Sequence, residues 1–268
     1  MSDATLSGFT ASEFTAEGRT RTVFSGGTGP AVIIIHEVPG LHPGVVDFAR
    51  RVVDRGFHVR MPSLFGTPGK EMSFGYVLKS MTSGCVSRDF TTWALDRTSP
   101  ITTWLRALAA DAHGACGGPG VGAVGMCFTG GFALGMMLDD RMVAPVLSQP
   151  SLPFPLGRKR KAALGISDAD LAVVERRAQE EGACVLGLRF THDMAVPEAR
   201  FDTLRHVLGE QFIAVEIDSS KGNAHGFARS AHSVLTKDFV DEPGNPTVDA
   251  LERVLAFFDE RLGSTASS

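Results

Sequence analysis

Hydrophobic residues in this chain fall into two alternating patterns, short continuous apolar runs and longer stretches with helical spacing. Residues 14–24 alternate apolar and polar positions, which predicts an exposed early strand closed by the Gly26-Gly27-Thr28-Gly29-Pro30 turn. The next run, Ala31-Val-Ile-Ile-Ile35, is uninterrupted and β-branched, as a central strand covered on both faces requires. Residues 47–55 have helical spacing and stop at Gly56, and residues 57–61 form another strand that ends at Pro62. The alternation continues with a helix at 101–112, a strand at 121–124, a helix at 132–138 and a strand at 143–147. Ser167 with Asp170 three positions on marks a helix start, and Gly182 marks its end. Strands at 184–190 and 212–217 flank a helix from Pro197 to Gly209, and 247–262 is an amphipathic final helix.

Such alternation predicts an α/β fold with a mostly parallel central sheet and helices on both faces. With no internal repeat and no separating linker, residues 1–268 read as one domain with a frayed tail at 263–268. Two stretches exceed what a minimal sheet needs, 63–99 and the proline-rich region within 148–182. Long irregular insertions in a compact domain are usually functional, and both are expected to wall a pocket.

Composition narrows the function classes. The formal charge of −4 and pI near 6.1 argue against nucleic acid as a partner, because neutralising phosphates needs a concentrated basic surface. The one basic run, Arg158-Lys-Arg-Lys161, reads as a solvated face. Residues 1–10 lack the features of a signal peptide, and no apolar run approaches membrane-spanning length. Cys85, Cys116, Cys127 and Cys184 form no CxxC pair, which points to a reducing cytoplasm. His113 and Cys116 alone supply too few ligands for zinc, so neither metal nor cofactor is expected.

The chemistry concentrates at Gly-Ala-Val-Gly-Met-Cys127-Phe-Thr-Gly-Gly, where an apolar strand breaks at a cysteine and opens into a helix. This is the local pattern of a nucleophile elbow, which needs small residues where strand and helix approach closely. A buried structural cysteine is the plain alternative. A dinucleotide fingerprint is excluded because its glycines would run through the strand, and a phosphate loop because Gly131-Phe132 replaces Lys-Ser/Thr.

A thiol nucleophile needs a base to take its proton and an acid to orient that base. In a parallel sheet both belong in loops beyond the carboxyl ends of later strands. Asp193, after the 184–190 strand, and His225, after the 212–217 strand, satisfy this filter. Asp218 is the competing acid, with a surface or capping role as its alternative. His192 and His232 are set aside, the first for preceding Asp193 and the second for lying in an expected helix. The backbone N–H groups of Phe128 and Val38 are the expected oxyanion donors. Glu37, in His36-Glu37-Val38-Pro39-Gly40, is either a structural carboxylate or part of the site.

Three boxes in order resemble the dienelactone hydrolase family over residues 14–262. They are Gly-Met-Cys127-Phe-Thr-Gly-Gly, Ile-Ile-His-Glu37-Val-Pro-Gly and Ala-His225-Gly-Phe-Ala-Arg229. The resemblance implies an α/β-hydrolase fold, Cys127 as nucleophile, Asp193 and His225 as its partners, and Glu37 contacting the resting thiol. It also implies that Arg229 holds a substrate carboxylate, with Arg88 the nearest candidate for a second such arginine. Thr129 stands where the family has glycine, and the region at 148–182 is longer than expected. The activity implied is hydrolysis of a small ester or lactone through a thioester; with the charge and hydropathy read above, the expectation is a monomer or weak homodimer with no nucleic-acid or membrane partner. An acyltransferase or C–C hydrolase on the same scaffold, and a non-catalytic ligand-binding relative, are the alternatives.

Overall fold

Ala31–Ile35 is completely buried because it lies in the middle of a sheet with helices on both sides. In a computed structural model, which describes residues 5–73, 75–78, 80, 99–152 and 157–263, eight strands form one sheet in the order β1-β2-β4-β3-β5-β6-β7-β8. These are β1 (Thr10–Ala16), β2 (Arg19–Gly26), β3 (Ala31–Ile35), β4 (His58–Pro62), β5 (Val121–Met126), β6 (Met142–Ser148), β7 (Val185–Phe190) and β8 (Phe212–Ile217). From β4 to β8 every pairing is parallel, while β1 and β2 form an antiparallel edge.

The helices are α1 (Pro43–Asp54), α2 (Pro100–Cys116), α3 (Gly130–Met136), α4 (Gly157–Ala162), α5 (Asp168–Glu181), α6 (Glu198–Leu208) and α7 (Pro246–Leu262). Alternation along β3 divides the core between them. Val32 and Ile34 face Val45, Phe48, Phe257 and Phe258 of α1 and α7. Ile33 and Ile35 join Trp104, Leu105, Phe132, Phe201 and Leu204 of α2, α3 and α6. Stripping water from both faces is what rewards a β-branched strand without polar interruptions, at about 2 kcal/mol for each large side chain buried.

Ser167 caps α5 as expected, its hydroxyl accepting the Asp170 N–H at 3.2 Å, and Gly182 closes that helix in a left-handed conformation. Two expectations fail. Residues 14–24 are not one strand, because Glu17 and Gly18 both take positive φ and fold the segment into a hairpin. His232 is not helical: residues 218–245 connect β8 to α7 through turns alone. The strand repeat places the loops after β3, β5, β6, β7 and β8 at one edge of the sheet.

Candidate active site

At the carboxyl end of β5 the chain turns sharply. Cys127 has φ 56°, a left-handed conformation that costs a non-glycine residue roughly 1–2 kcal/mol and persists only where its surroundings enforce it. A single 3₁₀ turn, Cys127–Thr129, leads directly into α3. The flanking glycines are steric requirements: a Cβ on Gly125 would lie 2.4 Å from the Thr129 carbonyl oxygen, and one on Gly130 would lie 2.7 Å from Pro150 Cα.

Thr129, which the resemblance sets where a glycine is expected, proves to be a stitch. Its Oγ1 accepts the Met126 N–H at 2.9 Å and stands 2.9 Å from the Ile35 carbonyl and 2.7 Å from that of Met126. One buried hydroxyl thus ties the elbow to the end of β3, from which the Glu37-Val38 loop departs.

Asp193, buried after β7, accepts the Ala195 N–H on Oδ1 at 2.9 Å, and its Oδ2 lies 2.6 Å from Nδ1 of His232. The same imidazole is coupled electrostatically to the Cys127 side chain. Burial pulls the His232 pKa down, but the charge on Cys127, the Asp193 hydrogen bond and the Asp193 charge together raise it well above 6.5. The three side chains form a continuous series from acid to imidazole to thiol.

The sequence expectation for the base is therefore corrected. His225 is exposed in a surface turn organised by Asn223, whose Oδ1 accepts the His225 and Phe227 N–H groups at 3.2 and 3.0 Å. Its ring sits 6.3 Å from that of Phe227, and Asp193 is bonded to His232 instead. The reason is the burial of the following segment: Ala231, Ser233, Val234, Leu235 and Thr236 are all buried and carry His232 inward with them. Arg229 is exposed in the same surface stretch as His225, and Arg88 lies outside the described residues. Asp218 is exposed and accepts the Ser220 N–H at 2.8 Å, the capping role foreseen as its alternative.

Glu37 is corrected as well. Its hydrogen bonds go to groups other than the thiol, Oε1 to His42 Nε2 at 3.2 Å and to the Thr236 hydroxyl, Oε2 to Gln149 Nε2 at 3.1 Å and to Ser233 Oγ at 2.7 Å. Burial alone would raise its pKa, but His42, Thr236 and the charge of His232 pull it down to about 2. The carboxylate anchors both the 149 loop and the two residues, Ser233 and Thr236, that follow His232.

Sequence reasoning also missed Ser151. Its Oγ lies 3.1 Å from Cys127 Sγ, and its N–H donates to the Cys127 carbonyl at 2.9 Å. A loop serine offers no periodicity to reveal such a contact. His232 did leave a signal: Ala-His232-Ser-Val-Leu-Thr carries the apolar residues needed to enter a core, whereas His225 is preceded by Lys221-Gly222-Asn223. Phe128 follows the thiol in the 3₁₀ turn, with its ring stacked at 5.2 Å on Phe65, and Val38 follows Glu37 in the adjoining loop. Among the described residues no group of three or more His, Cys, Asp or Glu side chains could hold a metal, and no helix is long and apolar enough to cross a membrane.

A sheet in this order with an elbow at the end of β5 defines an α/β-hydrolase. The chain belongs to the dienelactone hydrolase family, whose model matches residues 21–262, and as such it is a carboxylic ester hydrolase. It is similar in fold to a candidate dienelactone hydrolase from Klebsiella pneumoniae subsp. pneumoniae MGH 78578, with TM-score 0.63 and 20% identity over 94% of this chain and 99% of that one. A dienelactone hydrolase-like promiscuous phosphotriesterase, P91, from metagenomic libraries gives TM-score 0.60 and 15% identity over 95% and 98% of the two chains. A zinc-bound, cold-adapted esterase from an Arctic intertidal metagenomic library gives 0.56 and 16% over 94% and 92%. No curated protein sequence matches the chain.

Proposed function

We propose that the protein cleaves a small carboxylic ester or lactone through a thioester on Cys127, with His232 as base and acid and Asp193 orienting it. The observation that carries this reading is the His232 imidazole, bonded to Asp193 Oδ2 at 2.6 Å and coupled electrostatically to the Cys127 side chain. His232 takes the thiol proton, and the thiolate attacks the acyl carbon as the carbonyl π pair moves to oxygen. The Phe128 and Val38 N–H groups are suited to receive that oxyanion, being next to the nucleophile and in the neighbouring loop. The imidazolium returns its proton to the departing alkoxide. The neutral imidazole so formed deprotonates a water that attacks the thioester, and Cys127 leaves as thiolate beside the regenerated imidazolium. Asp193 keeps the proton on Nδ1 and balances the imidazolium charge throughout.

The test is Cys127→Ala against an activated ester such as p-nitrophenyl acetate, with intact-protein mass measured on the millisecond-quenched wild type. Turnover is expected to fall to background and the wild type to carry an acyl adduct on Cys127. A Cys127→Ala protein that turns over normally ends the proposal.

A further inference from the structure

The thiol has a polar neighbour besides the acid, base and oxyanion donors already named. Ser151 follows the carboxyl end of β6 and meets the nucleophile twice, by main chain at 2.9 Å and by its hydroxyl at 3.1 Å from Sγ. Everything before it is fixed. Gln149 is buried with φ 38°, its N–H donating to the Leu188 carbonyl at 2.8 Å and its side chain donating to Glu37 at 3.1 Å. A non-glycine residue in that conformation marks strain that the surroundings enforce, a feature concentrated at functional sites. The Pro150 carbonyl accepts a bond from buried Arg200 Nη1 at 2.8 Å, and Pro150 packs so closely on Gly130 that no Cβ would fit there. The serine hydroxyl is thus aimed at the sulfur by a preformed loop.

We propose that Ser151 is a further catalytic residue, whose hydroxyl donates a hydrogen bond to the Cys127 thiolate and holds it in position for attack. The proposal rests on Cys127 being the nucleophile. A neutral thiol is a weak acceptor and a thiolate a strong one, so this bond favours the reactive ion. Ser151 keeps its proton throughout. When the sulfur–carbon bond forms, the sulfur gives up its negative charge, the carbonyl oxygen gains it, and the serine bond weakens. The imidazole and the hydroxyl hold the sulfur together, which fixes its direction as well as its charge.

Alkylation by iodoacetamide reads the thiolate directly, since the thiol is unreactive. Ser151→Ala and Ser151→Gly remove the hydroxyl and leave the main-chain bond to Cys127 in place. At neutral pH, with Cys127 modification followed by peptide mass, each is expected to be alkylated about tenfold more slowly than wild type, the effect of losing one charge-assisted bond. The ultraviolet absorbance of the thiolate, taken as the difference from the matching Cys127→Ala protein, should fall with it. Wild-type alkylation and undiminished thiolate absorbance in either folded variant overturn the role. That result differs from normal ester turnover by Cys127→Ala, which would instead remove the nucleophile itself.

Discussion

His36 precedes Glu37, is fully buried, and has both ring nitrogens committed. Nε2 accepts the Leu64 N–H at 3.0 Å, which leaves Nδ1 to donate to the Glu37 carbonyl at 3.0 Å. That pattern suits only the neutral ring. Burial is the main cause that lowers its pKa to about 4 from 6.5. Between these values the unfolded chain holds the extra proton, so stability falls as pH drops from 6.5 toward 4, by about 3 kcal/mol for this one group. Glu37, depressed to about 2 from 4.5, adds its loss only below 4.5. His232 is raised, so its contribution is intact below 6.5 and is lost on the alkaline side. Urea unfolding of the wild type should therefore show stability decreasing steadily from pH 6.5 to 4.5, and His36→Asn should flatten that slope. A wild-type profile already flat over the interval contradicts this account.

At the level of elements, three segments distant in sequence meet on Arg200 of α6. The side chain is buried and bonds four backbone carbonyls, Nε to Ala163 at 2.7 Å, Nη1 to Pro150 at 2.8 Å and Ala195 at 3.1 Å, and Nη2 to Arg160 at 3.1 Å. One guanidinium thus fixes the Ser151 loop, the Asp193 loop and the exposed basic helix α4. Burial lowers its pKa to about 10, so it remains charged at neutral pH, offset by Asp193. Lysine cannot supply that fork of donors. Arg200→Lys should cost about 2–4 kcal/mol in urea unfolding and lower ester turnover together with stability. A variant matching wild type in both would show the clamp to be dispensable. None of this was legible from the chain, since an arginine in a helix reads as a surface residue until its partners are known. The strands and helices were far easier to read: β3 and β5 are uninterrupted apolar runs, and Ser167, Gly182 and Gly56 mark helix ends. The β1–β2 hairpin escaped because Glu17-Gly18 lacks the Asn-Gly or Asp-Gly turn signal.

For the whole molecule, a sheet with parallel strands from β4 to β8 brings side chains from five loops to one edge. Cys127 and Asp193 could be placed at that edge from the chain because each follows a short apolar strand closely. The histidine that meets Asp193 could not, because 28 residues without a helix or strand separate β8 from α7 and hold two histidines. Proximity to the strand favoured His225, whereas burial selects His232, since Val234 and Leu235 are drawn into the core beside Ala231. Glu37 was legible as either a structural carboxylate or part of the site, but not as the anchor of that segment, because its partners Gln149, Ser233 and Thr236 lie more than 100 residues away. The most direct measurement compares kcat/KM for p-nitrophenyl acetate in His232→Ala and His225→Ala. Loss of the base should lower the first by about 10³-fold or more and leave the second within about threefold of wild type. A crippled His225→Ala beside a near-normal His232→Ala would contradict the assignment.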